Sequence, residues 1–415
     1  MKKTKLLKTL LIPTLGVSAI GVIAAVSTSC SPVVIVTGVS LNKESLTLGE
    51  CDSDTLIANV HPENATDKSV TWSSSNSSVA TVDNNGKVTA VSEGSAKITV
   101  KTNDGGYEDY CDVIVTEINF IKITANADST LELINVGENN PNLQYSFDCS
   151  HWTTYSEKLK IPANEEMYLR GNNAAGWSFG IKNYSRFNIT GNVSIYGNVM
   201  GLLDNGTRTI SSIPNDYCFY DLFYDSTGIT SVSKDFLPAT TLTAYCYRYM
   251  FFNCYSLMNT PDLPAITLGE CCYEGMFYEC KSLTSAPALP ATELAENCYD
   301  SMFKYCWSLK TVSALPATTL AIGCYSFMFY GCTSLTVAPD LPATTLAIRC
   351  YEEMFDNCNK LASVKIGYTK RVMDAPFFAF YNWMNNVAIA GYFYYNGSDT
   401  LANFGIPVTW RISPY

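Results

Sequence analysis

Histidine is nearly absent from the sequence. Only His61 and His151 occur in 415 residues, which leaves little material for histidine-based acid–base catalysis or for histidine-rich metal sites. Basic residues are also scarce, since 27 Lys and Arg stand against 38 Asp and Glu. Phosphate binding needs a basic patch, and no Lys/Arg cluster lies beyond the N-terminus, so nucleic acid is excluded as a partner. These shortages argue against an enzyme, and no catalytic residue, metal site or cofactor is predicted.

Disorder is excluded by the composition, because 47% hydrophobic and 16% charged residues are normal for folded material. The length is enough for two to four domains. Sixteen cysteines would suggest a disulfide framework in a small secreted domain, but ten of them follow one long period. Those ten therefore need a different explanation.

The first thirty residues have the pattern of an export signal. Four lysines precede an apolar stretch over 9–26, and small residues lead to Cys30, so residues 1–30 are predicted to be a signal peptide. The ending Ser27-Thr28-Ser29-Cys30 resembles a bacterial lipoprotein signal, although it lacks the usual Leu three residues before the cysteine. The resemblance implies lipidation of Cys30 and contact with the membrane through the lipid anchor only. An uncleaved anchor and an ordinary cleaved signal are the alternatives, and all three place the rest of the chain outside the cytoplasm.

Residues 31–117 contain short alternating runs separated by Gly, Asn, Asp and Pro turns, which predicts an antiparallel sandwich. The runs at 70–74, 79–83 and 86–90 resemble the group 2 bacterial immunoglobulin-like (Ig-like) domain. The resemblance implies a stalk or adhesin module without catalytic residues, with Trp72 in its core. Cys51 and Cys111 could form a disulfide or remain two free thiols, because the sequence does not determine the distance between them.

Residues 118–212 again alternate in short runs and predict a second, sandwich-like β-rich domain. Pieces such as Tyr168-Leu169-Arg170-Gly171-Asn172 resemble a segment that precedes repeats in gut-bacterial surface proteins, and this implies no function. Arg170 is interpreted as part of a structural salt bridge or hydrogen-bonded turn, and Cys149 has no evident partner.

Residues 213–365 repeat with a period of 26 residues. The unit is Cys-Tyr-x-x-Met-Phe-x-x-Cys-x-Ser-Leu followed by Leu-Pro-Ala-Thr-Thr-Leu, and a divergent copy begins at Cys218. A fixed period of this size predicts a solenoid, because one unit cannot bury its apolar side alone. The two cysteine columns are Cys246, Cys272, Cys298, Cys324 and Cys350, and Cys254, Cys280, Cys306, Cys332 and Cys358.

Positions that stay constant between repeats are predicted to form the core. They include both cysteine columns and the pairs Met276 and Phe277, Met302 and Phe303, and Met328 and Phe329. The constant tyrosine of each repeat is interpreted as a structural ladder.

The repeat pattern resembles the BspA-like leucine-rich repeats of bacterial surface proteins. This resemblance implies a curved right-handed solenoid with one short strand per repeat and a rise of roughly 5 Å per coil. Buried thiols, disulfides and metal ligands are three possible roles for the cysteines. Buried thiols are favoured because free cysteine packs as a small hydrophobe, and because the seven residues between the two columns do not match metal-site spacing.

Positions that vary between repeats are predicted to be surface, and aromatic residues there are candidates for ligand binding, since Tyr and Trp are enriched in binding hot spots. The alternative is that these rings only cover the solenoid edge. The candidates are Tyr249, Tyr255, Tyr278, Tyr305, Trp307, Phe327 and Tyr330.

Residues 366–415 leave the period and are predicted to cap the solenoid, with Trp383 and Trp410 in the cap core. The expected fold class is mainly β: an Ig-like sandwich, a second small β-rich domain, then a leucine-rich-repeat solenoid with its cap. The expected function is cell-surface adhesion or ligand binding, with an extracellular or host protein or polysaccharide as partner. A structural envelope or phage-associated display protein and a surface glycan-processing enzyme are the alternatives. The sequence determines neither the ligand nor the oligomeric state.

Overall fold

The computed structural model describes residues 32–116, 119–207 and 209–415, with no side-chain description for Leu401 and Ala402. The predicted signal peptide and Cys30 lie outside these residues. The chain is mainly β and has one short α-helix, α1 (Gly201–Asp204), among the residues described. Within the same residues, no helix has the length and apolar character needed to cross a membrane.

The first region contains nine strands in three sheets. Their sheet orders are β1–β4, β2–β9–β8–β5 and β3–β7–β6. The pairings are antiparallel except for β2 with β9, which is parallel. The strands are β1 (Gly38–Leu41), β2 (Ser45–Gly49), β3 (Ser53–Thr55), β4 (Ala58–His61), β5 (Val70–Ser74), β6 (Ala80–Val82), β7 (Lys87–Ala90), β8 (Gly94–Thr102) and β9 (Glu108–Thr116).

Alternation along the strands forms the core of this first region. In β8 the side chains of Ala96, Ile98 and Val100 are buried, and in β9 every second residue from Cys111 is buried, as the two-residue period of a strand requires. Trp72 is only half-buried and packs against this core from its edge, a more peripheral position than the sequence suggested.

The second region forms two further sheets, ordered β13–β12–β15–β10–β17–β18 and β14–β11–β16. All pairings are antiparallel except that of β17 with β18, which is parallel. Strand β18 lies within the first repeat. The strands are β10 (Ile121–Ala125), β11 (Ser129–Val136), β12 (Gln144–Ser146), β13 (Thr153–Thr154), β14 (Leu159–Ile161), β15 (Glu166–Arg170), β16 (Tyr184–Thr190), β17 (Val193–Gly197) and β18 (Ile229–Val232).

A disulfide joins the first two regions. Cys51 is bonded to Cys149, a partner that the sequence did not make evident, and Cys111 is a buried free thiol. Sequence spacing could not reveal this pair because its members are 98 residues apart and lie in loops of different regions. Beside the disulfide, the Lys122 ammonium lies 3.5 Å from the Glu50 carboxylate and 2.9 Å from that of Glu166.

Arg170 has a structural environment in this second region. Its guanidinium lies 3.9 Å from the centre of the Trp152 ring, and its Nε donates to the Gln144 side-chain oxygen at 3.0 Å. The Trp152 indole N–H in turn donates to the carbonyl oxygen of Cys149. Arg170 is therefore fixed by stacking and a hydrogen bond within its own region.

The repeats contain far less strand than the resemblance implied. After β18 and a short 3₁₀ turn (Lys234–Phe236), successive repeats meet through single parallel bridges in place of one strand per repeat. Each Leu-Pro-Ala-Thr-Thr-Leu segment also contains a proline, which has no N–H to donate to a ladder. The bridges are Thr241 with Thr267, Ser285 with Thr311, Thr319 with Thr345, Val337 with Ser363, and Leu341 with Ile366.

The C-terminal segment adds a parallel sheet of β19 (Ser363–Lys365), β20 (Tyr392–Tyr394) and β21 (Arg411–Ser413). Short 3₁₀ turns occupy Val372–Asp374 and Leu401–Phe404. Trp383 and Trp410 are buried here. One cluster of buried side chains runs without interruption from Ile121 to Trp410, whereas the buried side chains of the first region form a cluster of their own.

Candidate binding surface

The Cys-Tyr-x-x-Met-Phe-x-x-Cys segment of each repeat is a run of four-residue turns. Two buried residues alternate there with two variable ones, and the variable residues are partly exposed except for Gly275, Ser326, Gly331, Glu352 and Asp356. Every fourth residue has a φ between 48° and 70°, the left-handed region, and none of these residues is β-branched, the type that tolerates it least. These residues are Tyr217, Asp221 and Asp225; Tyr245, Tyr249 and Asn253; Cys271, Gly275 and Glu279; Asn297, Ser301 and Tyr305; Gly323, Phe327 and Gly331; Arg349, Glu353 and Asn357; Phe378, Asn382 and Asn386.

Backbone hydrogen bonds join each run to the next one. The N–H of Tyr247 donates to the carbonyl of Cys272 at 3.0 Å, and the N–H of Phe251 donates to that of Met276 at 2.9 Å. The intervening Met250 N–H closes a turn onto Tyr247 within its own run. Successive backbone N–H groups therefore donate in turn to the next coil and to a residue of their own coil. This pattern gives the buried backbone its hydrogen bonds without continuous strands.

The same turns continue into the C-terminal segment, where the 26-residue period no longer holds. The N–H of Tyr351 donates to the carbonyl of Ala379, and that of Phe355 donates to Trp383. Residues 379–387 thus form another run, with Trp383 and Met384 at the positions of Met and Phe. The expectation that the repeat ends after Leu361 was correct for the period but missed this last run, which only the four-residue apolar pattern could have revealed.

The constant positions lie inside the stack. All ten cysteines of the two columns are fully buried free thiols, and the Met and Phe side chains of the predicted core are also buried. Phenylalanine rings from Phe251 to Phe355 stack with centroids 5.6 to 5.7 Å apart. The constant tyrosines from Tyr247 to Tyr351 stack in the same way, 5.7 to 6.1 Å apart.

The second cysteine column has a hydrogen-bonding role. The Cys280 thiol lies 3.2 Å from the carbonyl oxygen of Phe251 in the preceding run, and the other members of the column contact the equivalent carbonyls at 3.0 to 3.2 Å. In the divergent first run Ser226 takes this position, and its hydroxyl donates to the carbonyl of Phe187 at 2.7 Å. The column therefore supplies one buried donor per coil.

Burial makes these thiols poor nucleophiles. It raises the pKa of Cys298, Cys350 and Cys358 to about 12, and it raises the pKa of Cys280 well above its usual value. The thiolate is the reactive form of cysteine. The columns thus consist of protonated thiols with a packing role.

The variable positions divide into separate environments, and Tyr249 belongs to the first of them. Its hydroxyl donates to the Glu274 carboxylate at 2.9 Å, and Glu274 also binds Arg248 at 2.6 Å. A Cβ on Gly275 would lie 2.3 Å from the Tyr249 ring, so the missing side chain makes room for that ring. Tyr249 is therefore committed to contacts with the next coil.

Four candidate residues come together around a lysine. The Lys304 ammonium lies 4.3 Å from the ring centre of Phe327, 4.7 Å from that of Tyr330, and 5.8 Å from those of Tyr278 and Tyr305. We call these five residues the Lys304 cluster. Within the residues that the structure describes, Lys304 has no ion-pair partner.

Sequence reasoning missed Lys304 because it selected aromatic residues. A signal was present, since Lys304 occupies a column that is aromatic in the three preceding coils and the following one: Tyr224, Phe252, Tyr278 and Tyr330. A single cation in an aromatic column is the feature that distinguishes this coil.

Carboxylates lie close enough to Lys304 to influence its charge. Burial lowers the pKa of Lys304, while Asp300 and Glu353 act in the opposite direction. Burial raises the pKa of Asp300 to about 6, although Ser301 donates a 2.6 Å hydrogen bond to it. The cluster thus combines one unpaired cation with two acidic groups nearby.

Tyr255 and Trp307 lie apart from the cluster, at the position after the second cysteine. Both are largely exposed, at 45% and 48%. The ammonium of Lys281, from the coil between them, lies 4.8 Å from the Trp307 ring centre. These rings form a second exposed edge, which we call the Trp307 edge.

A cleft of about 820 Å³ lies between the first region and the start of the repeats. It is lined by Glu93, Ile114, Asn119, Asp235 and Pro238 among others, and none of the described residues that line it is aromatic. The Lys304 cluster remains the stronger candidate, because it combines aromatic faces with an unpaired charge.

Two protein families match this chain. The bacterial Ig-like domain (group 2) matches residues 35–113, and the BspA type leucine-rich repeat region matches residues 209–336 and 296–407 in six copies. The second match extends over both the divergent first run and the C-terminal run.

Curated relatives share only parts of their length with this chain. An uncharacterized protein of Clostridium acetobutylicum is 53% identical over 73 residues, which are 17% of this chain and 18% of that protein. An alpha-L-arabinofuranosidase of Bifidobacterium longum is 36% identical over 139 residues, 32% of this chain and 13% of that protein. An Ig-like virion protein of Serratia phage KSP90 is 42% identical over 90 residues, 21% of this chain and 35% of that protein.

The family matches agree with the architecture that the sequence motifs indicated. Neither matched family is enzymatic, and both are typical of surface or extracellular bacterial proteins. This chain combines an N-terminal group 2 bacterial Ig-like domain with BspA-type leucine-rich repeats.

Proposed function

We propose that this protein is a cell-surface adhesion or ligand-binding lipoprotein. In this proposal its repeats form a leucine-rich-repeat solenoid that presents the variable positions to a host protein or polysaccharide. The Ig-like domain holds the repeats away from the membrane, and the protein performs no catalysis. BspA-type repeats support a surface protein-binding role.

One observation carries the proposal. The constant positions of the repeats are buried, while the variable positions are mostly exposed in part, differ from coil to coil and include all seven aromatic candidates and charged residues such as Lys304 and Glu353. A surface that varies over an unvarying core suits specific recognition, and the large rings of Tyr and Trp are favoured in such interfaces.

The test is binding of the full chain, displayed on cells, to extracellular-matrix proteins, mucins and polysaccharides. A variant replaces three candidates with residues that other coils carry in the same columns, Ser301 and Thr333: Tyr249→Ser, Phe327→Ser and Trp307→Thr. We expect saturable binding that the variant loses at unchanged display. A control variant, Tyr107→Ser with Tyr110→Ser, changes exposed rings of the Ig-like domain and should bind normally.

Absence of binding by the wild-type chain to every panel member would overturn the adhesion proposal. Equal binding by the wild type and the triple variant would remove the proposed residues from the site and leave adhesion standing.

The lipid anchor is tested separately. Cells that express the wild-type chain or Cys30→Ser are labelled with a fatty-acid analogue. We expect label only in the wild type, because the acyl chains would be carried by Cys30 and two chains are about what stable anchoring requires. Label in both, or in neither, would contradict the lipoprotein part of the proposal.

A display component without a specific ligand is the second candidate function. It is favoured by the partial likeness to the Ig-like virion protein of a Serratia phage. This candidate expects the variable face to be dispensable, so that the triple variant leaves every association of the protein unchanged.

A further inference from the structure

The aromatic column on the surface of the repeats changes its geometry at Lys304. Tyr224, Phe252 and Tyr278 stack face to face with centroids 4.6 Å apart, and their planes are inclined by 5° and 16°. At the next coil Lys304 takes the position of the ring. Tyr305, the residue after it, contacts Tyr278 and Tyr330 edge to face at 81° and 88°.

This change alters what the column offers to a ligand. In a face-to-face stack each ring covers the face of its neighbour, so only ring edges are exposed. Perpendicular rings leave faces free of one another, and Phe327 adds another partly exposed ring beside Tyr330, 6.1 Å away. Gly331 makes this arrangement possible, because a Cβ there would lie 2.6 Å from the Tyr305 ring.

Lys304 rests on these ring faces without being fixed by a carboxylate. A cation–π contact at a partly exposed site is weak, so a ligand can replace it by its own contacts. The ammonium can then turn and donate its protons to the ligand. The lysine therefore covers the aromatic faces only weakly.

The charges of the cluster favour a neutral ligand. Lys304 disfavours a cation, while Asp300 and Glu353, whose fields reach Lys304, disfavour an anion. A polyol meets both conditions, since its hydroxyl groups accept from the ammonium and donate to carboxylates, and its C–H face packs on aromatic rings.

We propose that the Lys304 cluster binds one neutral sugar residue of a glycan. The sugar lies on the rings of Phe327 and Tyr330, with Lys304 donating to its hydroxyl groups. This inference rests on the proposed function and specifies the ligand class of the repeat face.

The test uses the purified full chain with soluble galactomannan and β-1,3-glucan as neutral probes, polygalacturonate as an acidic probe, and the protein panel described above. Lys304→Tyr restores the residue type found at Tyr278 and Tyr330, and Phe327→Ser copies Ser301, so neighbouring coils already accommodate both residues. Tyr107→Ser, at an exposed ring of the Ig-like domain, is the control.

We expect a neutral glycan to bind, with at least tenfold weaker binding in Lys304→Tyr and in Phe327→Ser and unchanged binding in Tyr107→Ser. A preference for polygalacturonate would overturn the neutral ligand class. Glycan binding that both cluster variants retain would overturn the site. Binding of proteins alone would overturn the glycan inference while the proposed function survives, and absence of all binding would overturn both.

Discussion

The Ig-like domain and the repeats bury their side chains with different periods. In β8 and β9 every second residue is buried, and the partners come from distant parts of the domain, such as β2 against β9. In the repeats two buried residues alternate with two variable ones, most of which are partly exposed, and each coil is covered by the next. The core of the Ig-like domain is complete within that domain, whereas the core of the repeats becomes longer with each added coil.

This difference determines where variation is tolerated. In the Ig-like domain a one-residue shift would exchange the core and solvent faces of a strand. In the repeats the same columns form the core in each coil, so the intervening pairs are free to differ. The repeats therefore provide a surface that can change without loss of the stack.

The largest expected effect comes from truncating the stacked rings. Phe303 is fully buried between Phe277 and Phe329, 5.6 and 5.7 Å from their ring centres. Phe303→Ala should lower the free energy of unfolding of the repeat region by about 3–5 kcal/mol, since it leaves a cavity in the stack. Denaturant unfolding, with calorimetry of thermal unfolding as a second method, measures this change in the free energy of unfolding.

The matched substitution in the Ig-like domain is Ile98→Ala, at a fully buried residue of β8. Because the two clusters of buried side chains are separate, each substitution should lower only the transition of its own region. If either one shifted both transitions equally, the two cores would not be independent.

Acid should act on the two regions in opposite directions. Burial raises the pKa of Asp221, in the first run of the repeats, to about 7. Between about pH 4 and pH 7 the unfolded chain is ionised there while the folded chain keeps its proton, so the stability of the repeats falls as the pH rises. Backbone N–H donors lower the pKa of Asp83 in the Ig-like domain, so its contribution is present at neutral pH and lost on acidification.

Asp221→Asn measures this effect. The amide stays neutral at every pH, so the variant should lose the decline between pH 4 and pH 7, which amounts to at most about 4 kcal/mol. Arg186 and Arg248 hold this pKa below the value that burial alone would give, while Asp225 raises it. An unchanged pH profile in Asp221→Asn would show that Asp221 titrates normally.

Removing the disulfide tests the connection between the regions. The double variant Cys51→Ala with Cys149→Ala should lose about 2–4 kcal/mol of stability, while the Lys122 contacts with Glu50 and Glu166 remain. Alkylation of the native wild-type protein followed by mass spectrometry checks whether the bond is present, and we expect neither Cys51 nor Cys149 to be labelled. Labelling of both Cys51 and Cys149 there would contradict the bond.

The smallest effect is expected in the thiol column. Cys280→Ala removes one of two hydrogen bonds to the Phe251 carbonyl, which still accepts from the Cys254 N–H, and should cost about 0.5–1.5 kcal/mol. Cys280→Ser should cost less, because Ser226 already donates from the same position. Equal losses in the two variants would mean that the thiol acts by packing alone.

The sequence was sufficient to predict the columns, since a strict period makes equivalent residues visible. The burial of the cysteine, methionine and phenylalanine columns follows from it directly. The period could not reveal the four-residue turns, because their left-handed positions carry residues as different as Tyr249, Gly275 and Glu353. The backbone hydrogen bonds between coils impose the left-handed conformation, and local sequence preference does not predict it.

The candidate surface was predictable only in part. Variation between coils identified the exposed positions, but the grouping of four rings around Lys304 depends on Tyr305 folding over Gly331 in the next coil. Similarly, Tyr249 was a binding candidate because it is a variable aromatic residue, although Glu274 and Gly275 of the next coil fix its side chain in place. Contacts across the stack decide such roles.

The most direct test of a variable recognition face over an invariant core is a substitution scan of residues 246–358 in the displayed full chain. Each variant is sorted once for display and once for binding to the panel member that the wild type binds. We predict that substitutions in the Cys, Tyr, Met and Phe columns reduce display, whereas those that reduce binding alone fall at the exposed positions and centre on Lys304. If binding never separated from display at any position, or separated mainly in the buried columns, the account would be contradicted.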